Sequence, residues 1–126
     1  MNLIAIAAGG AVGAIARYFA SLSVNLNVNH PLPFGTLAVN ASGSLLIGFL
    51  FVLFDRTGAS QATRLLWITG FLGAYTTFSS YSLETVRLVM EGKPYLALAN
   101  FALNNAVCLA CTVLGVALGR LAFGHA

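Results

Sequence analysis

Charged side chains are scarce in this sequence. Only 7% of its 126 residues are Asp, Glu, Lys or Arg, whereas 59% belong to the apolar types. A soluble domain carries roughly 25% charged residues, so this chain lacks the polar groups that an ordinary water-facing surface needs. A surface that faces lipid does not need them. The composition therefore predicts an integral membrane protein.

Cysteine and net charge are also low. The two cysteines, Cys108 and Cys111, lie in one apolar segment and give no reason to expect a disulfide framework or a redox site. The net charge of +3 is small and dispersed, so no nucleic-acid partner is expected. No set of nucleophile, base and orienting group is recognisable, and an enzyme is therefore not expected.

Four long apolar segments make up nearly the whole chain. Each can supply the roughly 20 helical residues that cross a bilayer core. Their expected limits are residues 3–23, 34–54, 63–90 and 95–123, and the stretch 25–33, with its prolines and asparagines, is expected to be a loop. The first segment lacks a basic leader and is expected to be a span rather than a cleaved signal. We predict an all-α membrane protein with a single domain, residues 1–126, of four transmembrane helices.

Small residues recur four positions apart on three of these segments. Such pairs let helix backbones approach closely in lipid, and we expect them to be packing contacts. The pairs are Gly9 with Gly13, Ser44 with Gly48, and Gly115 with Gly119.

Basic residues are divided evenly between the two ends of the predicted bundle. The end that holds the N-terminus has Arg56, Arg64 and Arg120, and the other end has Arg17, Arg87 and Lys93. The positive-inside rule then gives no preferred orientation. The chain is expected to insert in both directions, and two opposed copies can pair as an antiparallel, dual-topology homodimer.

The third segment contains a run of hydroxyl side chains. From residue 75 to residue 82 every residue except Phe78 carries a hydroxyl, and Gly70 and Gly73 precede the run. These residue types are weak helix formers, and irregular backbone at this depth persists only inside protein or beside a wet cavity. We predict a third helix that is broken in mid-membrane, with carbonyls at one half-helix end suited to cations and N–H groups at the other suited to anions. The alternative is a continuous helix whose hydroxyls bond to its own carbonyls.

Polar residues form a stripe along the fourth segment. Asn100, Asn104, Cys108 and Thr112 recur every four residues, and such a stripe should face protein or water rather than lipid. Asn40 on the second segment could face the same interior. Neutral amides and hydroxyls can donate hydrogen bonds to an anion without holding it too tightly. Plain hydrogen bonding between helices is the alternative.

Aromatic and charged residues complete the candidate set. Phe78 and Tyr81 share a helix face, and their ring edges carry the partial positive charge that suits an anion. Arg17 and Glu84 lie within apolar spans, where a charge marks function or an ion pair, and Arg87 is a candidate partner for Glu84.

Three motifs resemble those of the small bacterial fluoride channels, the CrcB or Fluc family. Residues 73–84 resemble its GGLTTFSTFSxE signature, residues 35–43 its GTLxVNxxG motif, and residues 13–18 its first-helix segment with an arginine. The likeness extends over all four segments. The chain departs from the signature at Ala74 and Tyr81, where the family has glycine and phenylalanine. Its fourth-helix stripe also has asparagines and a cysteine where relatives often carry tyrosine or serine.

The resemblance implies a passive fluoride channel of the bacterial plasma (inner) membrane that gives fluoride resistance. It implies an antiparallel homodimer with two pores and a structural sodium ion at its centre, held by the backbone carbonyls of Gly73 and Thr76 from both subunits. The implied pore residues are Asn40, Phe78, Tyr81, Asn104, Cys108 and Thr112, with Arg17 in a vestibule and with Ser79, Glu84 and Asn100 in structural or pore-flanking positions.

Two other functions are alternatives to a channel. A small multidrug exchanger is also an antiparallel four-helix dimer, but it needs a carboxylate in the first helix, and this first segment has none. A non-transporting assembly subunit would need neither the hydroxyl run nor the polar stripe.

Overall fold

The computed structural model describes residues 2–124, and the regular structure in that range is helical. Helix α1 is Asn2–Asn27, α2 is Phe34–Thr57 and α5 is Pro94–Phe123. These three helices are long and apolar enough to cross a membrane. Between α2 and α5 lie two shorter helices, α3 over residues 61–75 and α4 over Phe78–Met90.

The predicted limits agree with these helices to within a few residues, with one correction. The stretch 25–33 was expected to be a loop throughout, but α1 continues to Asn27. The Asn27 amide donates to the Ser23 carbonyl at 2.7 Å, and Asn25 Oδ1 accepts the Gly35 N–H at 3.1 Å. Because the first N–H groups of a helix have no partner within it, Asn25 supplies one to α2. Asn25 and Asn27 therefore stabilise helix ends rather than form the loop.

Helix α3 has a wide middle section. It begins at the capping residue Ser60, whose side chain accepts the Thr63 N–H at 3.2 Å. After one α-helical turn the backbone takes the π-helical form over Leu65–Leu72 and returns to the α form for Gly73–Tyr75. At its start, Arg64 donates to the Phe54 carbonyl at 2.6 Å and so closes the C-terminal end of α2.

Backbone contacts join α1 to α3. A methyl group added at Gly9 would collide with the Leu66 carbonyl, and one added at Gly13 would collide with the Phe71 carbonyl. From the opposite side, a methyl group at Gly70 would lie 2.7 Å from a carbonyl oxygen of α1. These contacts confirm that Gly9 and Gly13 form a packing surface.

The other predicted small-residue pairs join α2 to α5. A methyl group at Gly48 would collide with the Thr112 carbonyl, and one at Gly115 would collide with the Leu45 carbonyl. The two helix pairs meet around a small apolar core centred on Leu50, Phe54 and Leu72. The bundle is therefore two closely paired units, α1 with α3 and α2 with α5.

Large apolar side chains cover the outside of the bundle. Leu3 and Met90 are each 81% exposed, and Leu121 is 77% exposed. Exposed apolar residues of this size on every long helix are unfavourable in water and favourable in lipid. The fold is that of a multi-pass membrane protein, as the composition predicted.

Candidate functional site

The helical backbone is interrupted between α3 and α4. Thr76 (φ −80°, ψ 158°) and Thr77 (φ −148°, ψ 112°) are both extended. The break lies inside the hydroxyl run, where the sequence predicted it. The alternative of a continuous helix is therefore wrong.

Asn40 of α2 pairs with the backbone at the break. Its Oδ1 accepts the Thr77 N–H at 2.8 Å, and its Nδ2 donates to the Thr77 carbonyl at 3.0 Å. A buried backbone group without a partner is costly, and the loss of helical hydrogen bonds would leave both groups of Thr77 without one. The amide of Asn40 thus takes the place of a neighbouring peptide group and stabilises the extended residues.

The side chains at the break also divert two helical hydrogen bonds. In a continuous helix the N–H of Thr77 would donate to the Gly73 carbonyl, and the N–H of Ser80 to the Thr76 carbonyl. Instead the Thr77 N–H donates to Asn40, and the Ser80 N–H donates to Thr77 Oγ1 at 3.1 Å, where Thr77 caps α4. The carbonyl oxygens of Gly73 and Thr76, the two named for a cation, are therefore released from their helical donors.

A cavity of about 410 Å³ lies beside the break, between α2, α3, α4 and α5. Seven of the predicted site residues contribute to its lining, together with Gly43, Ser44, Thr77, Asn105 and four aliphatic residues. The seven are Asn40, Gly73, Thr76, Phe78, Tyr81, Asn104 and Cys108. No residue of the lining carries a formal charge. The structure thus brings most of the predicted pore residues together around one neutral, partly polar space.

A chain of hydrogen-bonded amide groups begins in the cavity lining and leads away from the cavity. Asn40 Nδ2 donates to Asn104 Oδ1 at 3.3 Å, and Asn104 Nδ2 donates to Asn100 Oδ1 at 3.0 Å. Asn100 Nδ2 continues the chain to Thr85 Oγ1 at 2.9 Å. Asn100 and Asn104 are 2% and 5% exposed. Asn100 and Asn104 therefore make hydrogen bonds between helices, which was the alternative to an anion path for the polar stripe. Asn104 also lines the cavity.

The aromatic pair differs in exposure. Phe78 and Tyr81 meet edge to face with ring centroids 5.4 Å apart, yet Phe78 is 78% exposed and Tyr81 only 7%. The Tyr81 hydroxyl accepts a hydrogen bond from Asn105 Nδ2 at 3.1 Å. Sequence reasoning left Asn105 off the polar stripe and missed this contact. The signal was the hydroxyl of Tyr81 itself, since a buried phenol needs a polar partner.

Four predicted site residues lie outside the cavity lining and away from the amide chain. Thr112 bonds back to the Cys108 carbonyl at 3.0 Å. Ser79 Oγ lies 3.3 Å from Thr77 Oγ1. Arg17 is half-buried on α1, and the fourth residue is Glu84.

Glu84 has a different partner from the one expected. Its Oε1 accepts a hydrogen bond from the buried hydroxyl of Thr36 at 2.7 Å. Within residues 2–124 the one ion pair is Lys93 with Glu91, at 2.9 Å. Arg87, the candidate partner, therefore forms no ion pair with Glu84. Thr36 comes from the second family-like motif and Glu84 from the first, so the contact joins the two motifs in space.

The comparisons with known proteins agree with the motifs. The family described as "CrcB-like protein, Camphor Resistance (CrcB)" matches residues 4–116. A protein of Coxiella burnetii named fluoride-specific ion channel FluC is 44% identical over 122 residues, which cover 95% of this chain and 98% of the relative. A protein of Magnetococcus marinus with the same name is 43% identical over 122 residues, 96% of this chain and 99% of the relative.

A third protein with that name, from Syntrophotalea carbinolica, is 44% identical over 121 residues, 95% of this chain and 98% of the relative. The matches extend over nearly the full length of all four chains, so they include every motif and every helix described above. This chain belongs to the CrcB-like family.

Proposed function

We propose that this protein is a fluoride-selective channel through which fluoride leaves the cell passively. The observation that carries the proposal is the uncharged cavity beside the helix break, lined by amide, hydroxyl and aromatic groups. Such groups donate hydrogen bonds or positive ring edges to an anion. The names of the full-length relatives support fluoride as the anion.

The direction of transport follows from charge. Hydrogen fluoride crosses a membrane as a neutral acid and releases fluoride inside. An interior-negative potential then drives the anion out with roughly 2.3 kcal/mol per 100 mV. A channel is sufficient for this export, and export of this kind confers fluoride resistance.

Neutral donors suit rapid passage. Fluoride is small and strongly hydrated, so a pore must replace its water with donors at close range. A fixed cation in the path would bind fluoride tightly and slow its exit, whereas several weak sites in series allow conduction. Phe78, Tyr81, Cys108 and the amide chain from Asn40 to Asn104 form such a series around the cavity.

The amide chain limits which groups are free to act. Asn40 Nδ2 already donates to Thr77 and to Asn104. Direct donation from Asn40 to fluoride therefore requires that one of these bonds be exchanged. We propose that Asn40 chiefly holds the backbone and Asn104 in place beside the ion path. Phe78 and Tyr81 then supply the direct contacts to the anion.

We further propose an antiparallel, dual-topology homodimer, in which residues 61–90 form the third of four membrane crossings. The cavity of a single protomer is not enclosed, and Phe78, which lines it, is largely exposed. A second copy over this face would close the path against lipid. The even division of basic residues supports insertion in both orientations.

A structural sodium ion on the axis of that dimer is also proposed. The carbonyls of Gly73 and Thr76 are the ones whose helical donors are diverted, and Gly73 is exposed on the protomer surface. Backbone carbonyl oxygens suit a hard cation, and two copies would supply four of them. The residues present therefore fit the ion.

The proposed function is tested with purified protein in liposomes. Fluoride efflux is followed under a potassium gradient with valinomycin, and chloride efflux is followed in the same preparation. We expect rapid fluoride efflux and no chloride efflux above that of empty liposomes. Equal rates for the two anions, or no fluoride efflux from liposomes that contain folded protein, would overturn the proposal. Cation uptake coupled to protons would favour an exchanger instead.

A further inference from the structure

Asn105 fixes the direction of a hydrogen bond at Tyr81. Its Nδ2 donates to the Phe101 carbonyl at 2.8 Å and to the Tyr81 hydroxyl oxygen at 3.1 Å. A carbonyl oxygen only accepts, so the atom beside Phe101 must be the nitrogen of the amide. The second hydrogen of that nitrogen then points at Tyr81, and the Tyr81 oxygen is an acceptor.

The proton of the Tyr81 hydroxyl is consequently not used in the bond with Asn105. Tyr81 is 7% exposed, and no acceptor for this proton is present among residues 2–124. A buried donor without an acceptor is unfavourable by an amount comparable to a lost hydrogen bond. Both Tyr81 and Asn105 line the cavity beside the helix break. An acceptor that enters this cavity can therefore satisfy the phenol.

We propose that Asn105 is a positioning residue that keeps the Tyr81 hydroxyl turned toward the ion path as a hydrogen-bond donor to the permeating anion. The inference rests on the proposed fluoride channel and names a donor for its anion. A hydrogen bond from a hydroxyl to an anion is shorter and stronger than one between neutral groups. The bond that Tyr81 accepts from Asn105 polarises the phenol and strengthens the bond that it donates.

This arrangement sets the chain apart from the family signature. A phenylalanine at this position could offer an anion only a ring edge. In this chain the same ring offers an O–H group in addition, and Asn105 on the neighbouring helix determines where that group points. The expected consequence is tighter fluoride binding at this site and saturation of the flux at lower fluoride concentration.

The test is the concentration dependence of fluoride flux in liposomes for a double-mutant cycle. In Tyr81→Phe the half-saturating fluoride concentration should rise about tenfold while the flux at saturation persists, because one charge-assisted hydrogen bond is lost. In Asn105→Ala it should rise by a smaller factor, because the hydroxyl remains but is no longer directed. In the double variant Asn105→Ala should add nothing to Tyr81→Phe.

The cycle separates positioning from a purely structural role. Asn105 also bonds to Phe101, and the loss of that contact would act equally with or without the Tyr81 hydroxyl. Tyr75→Phe is the matched control, because the Tyr75 hydroxyl bonds to Ser42 at 2.9 Å and Tyr75 does not line the cavity. Its half-saturation should equal that of the unmodified protein.

Two results would overturn the inference while leaving the channel intact. One is fluoride flux with the same half-saturation in Tyr81→Phe and in the unmodified protein. The other is an effect of Asn105→Ala that is undiminished in the Tyr81→Phe background. Absence of fluoride flux in the unmodified protein would overturn the proposed function itself, and with it this inference.

Discussion

The two halves of the interrupted helix are held in different ways. Helix α3 lies backbone to backbone against α1, where glycines leave no room for a methyl group. Helix α4 is instead held by side-chain hydrogen bonds, from Asn100 to Thr85, from Asn105 to Tyr81 and from Thr36 to Glu84. Backbone contacts depend on small size alone, whereas side-chain contacts depend on chemistry.

This difference indicates that α3 and α4 have different roles. The α1–α3 contact forms a frame that tolerates little change, because backbone atoms cannot rotate away from an added group. The α4 contacts place hydroxyls, amides and aromatic rings around the cavity, where a substitution alters the ion path more than the fold. Substitutions in the two halves should therefore give different phenotypes.

The largest effect on stability is expected at the frame. Gly13→Ala places a methyl group against the Phe71 carbonyl and should lower the free energy of unfolding by about 3 kcal/mol through overpacking. Gly10→Ala is the matched control, since the nearest atom to its added methyl group is 3.9 Å away. Thermal unfolding in detergent would compare the two variants. Equal melting temperatures would contradict the close contact between α1 and α3.

The next largest effect is expected at the break itself. Asn40→Ala removes the partner of the Thr77 N–H and carbonyl and should destabilise the protein by about 2 kcal/mol, the scale of an unsatisfied buried polar group. Fluoride flux should fall with it. Ser42→Ala, two residues further along α2, removes an exposed hydroxyl that bonds to its own helix and to the Tyr75 hydroxyl, and it leaves no buried backbone group without a partner. Its stability should change by less than about 0.5 kcal/mol, and a similar loss in both variants would argue against the role of Asn40.

Much of the difference between the two half-helices could be predicted from the sequence. The spacing of Gly9 and Gly13 predicted a packing surface, and the hydroxyl run predicted the break. The amide of Asn40 predicted a polar contact in the interior. Residue types and helical periodicity are sufficient for such predictions, because both act within one helix.

The hydrogen-bond partners on neighbouring helices could not be predicted in the same way. The bond of Asn105 to Tyr81 depends on the rotation of α5 relative to α4, and the bond of Thr36 to Glu84 depends on the approach of α2. Nor did the sequence indicate the π-helical section of α3, which contains Gly70, the residue that lies against the α1 backbone. These features follow from tertiary packing, which local patterns do not record.

A smaller effect is expected from chemical modification of the cavity. Cys108 lines it, whereas Cys111, one turn further along α5, does not. A small methanethiosulfonate reagent should reduce fluoride flux partially in Cys111→Ser, which retains the Cys108 thiol. It should leave flux unchanged in Cys108→Ser. Inhibition of equal size in both single-cysteine variants would mean that the reagent acts away from the cavity.

The smallest effect is expected at Thr76. Thr76→Ser keeps the backbone carbonyl that we assign to sodium and keeps the hydroxyl that bonds to the Leu72 carbonyl at 2.9 Å. Stability and flux should both stay close to those of the unmodified protein, within about 0.5 kcal/mol for unfolding. A large loss of dimer in this variant would place the side chain rather than the carbonyl in the ion site.

The assignment of transport to the α4 side of the cavity is tested most directly by Phe78→Ile. Phe78 is 78% exposed within one protomer, so its replacement by another apolar residue should leave the protomer fold unchanged while it removes the ring edge from the path. Fluoride efflux from liposomes under a valinomycin potential is measured together with the elution volume of the purified protein. We expect an unaltered dimer with no fluoride flux. Undiminished fluoride flux in the folded variant would contradict the account.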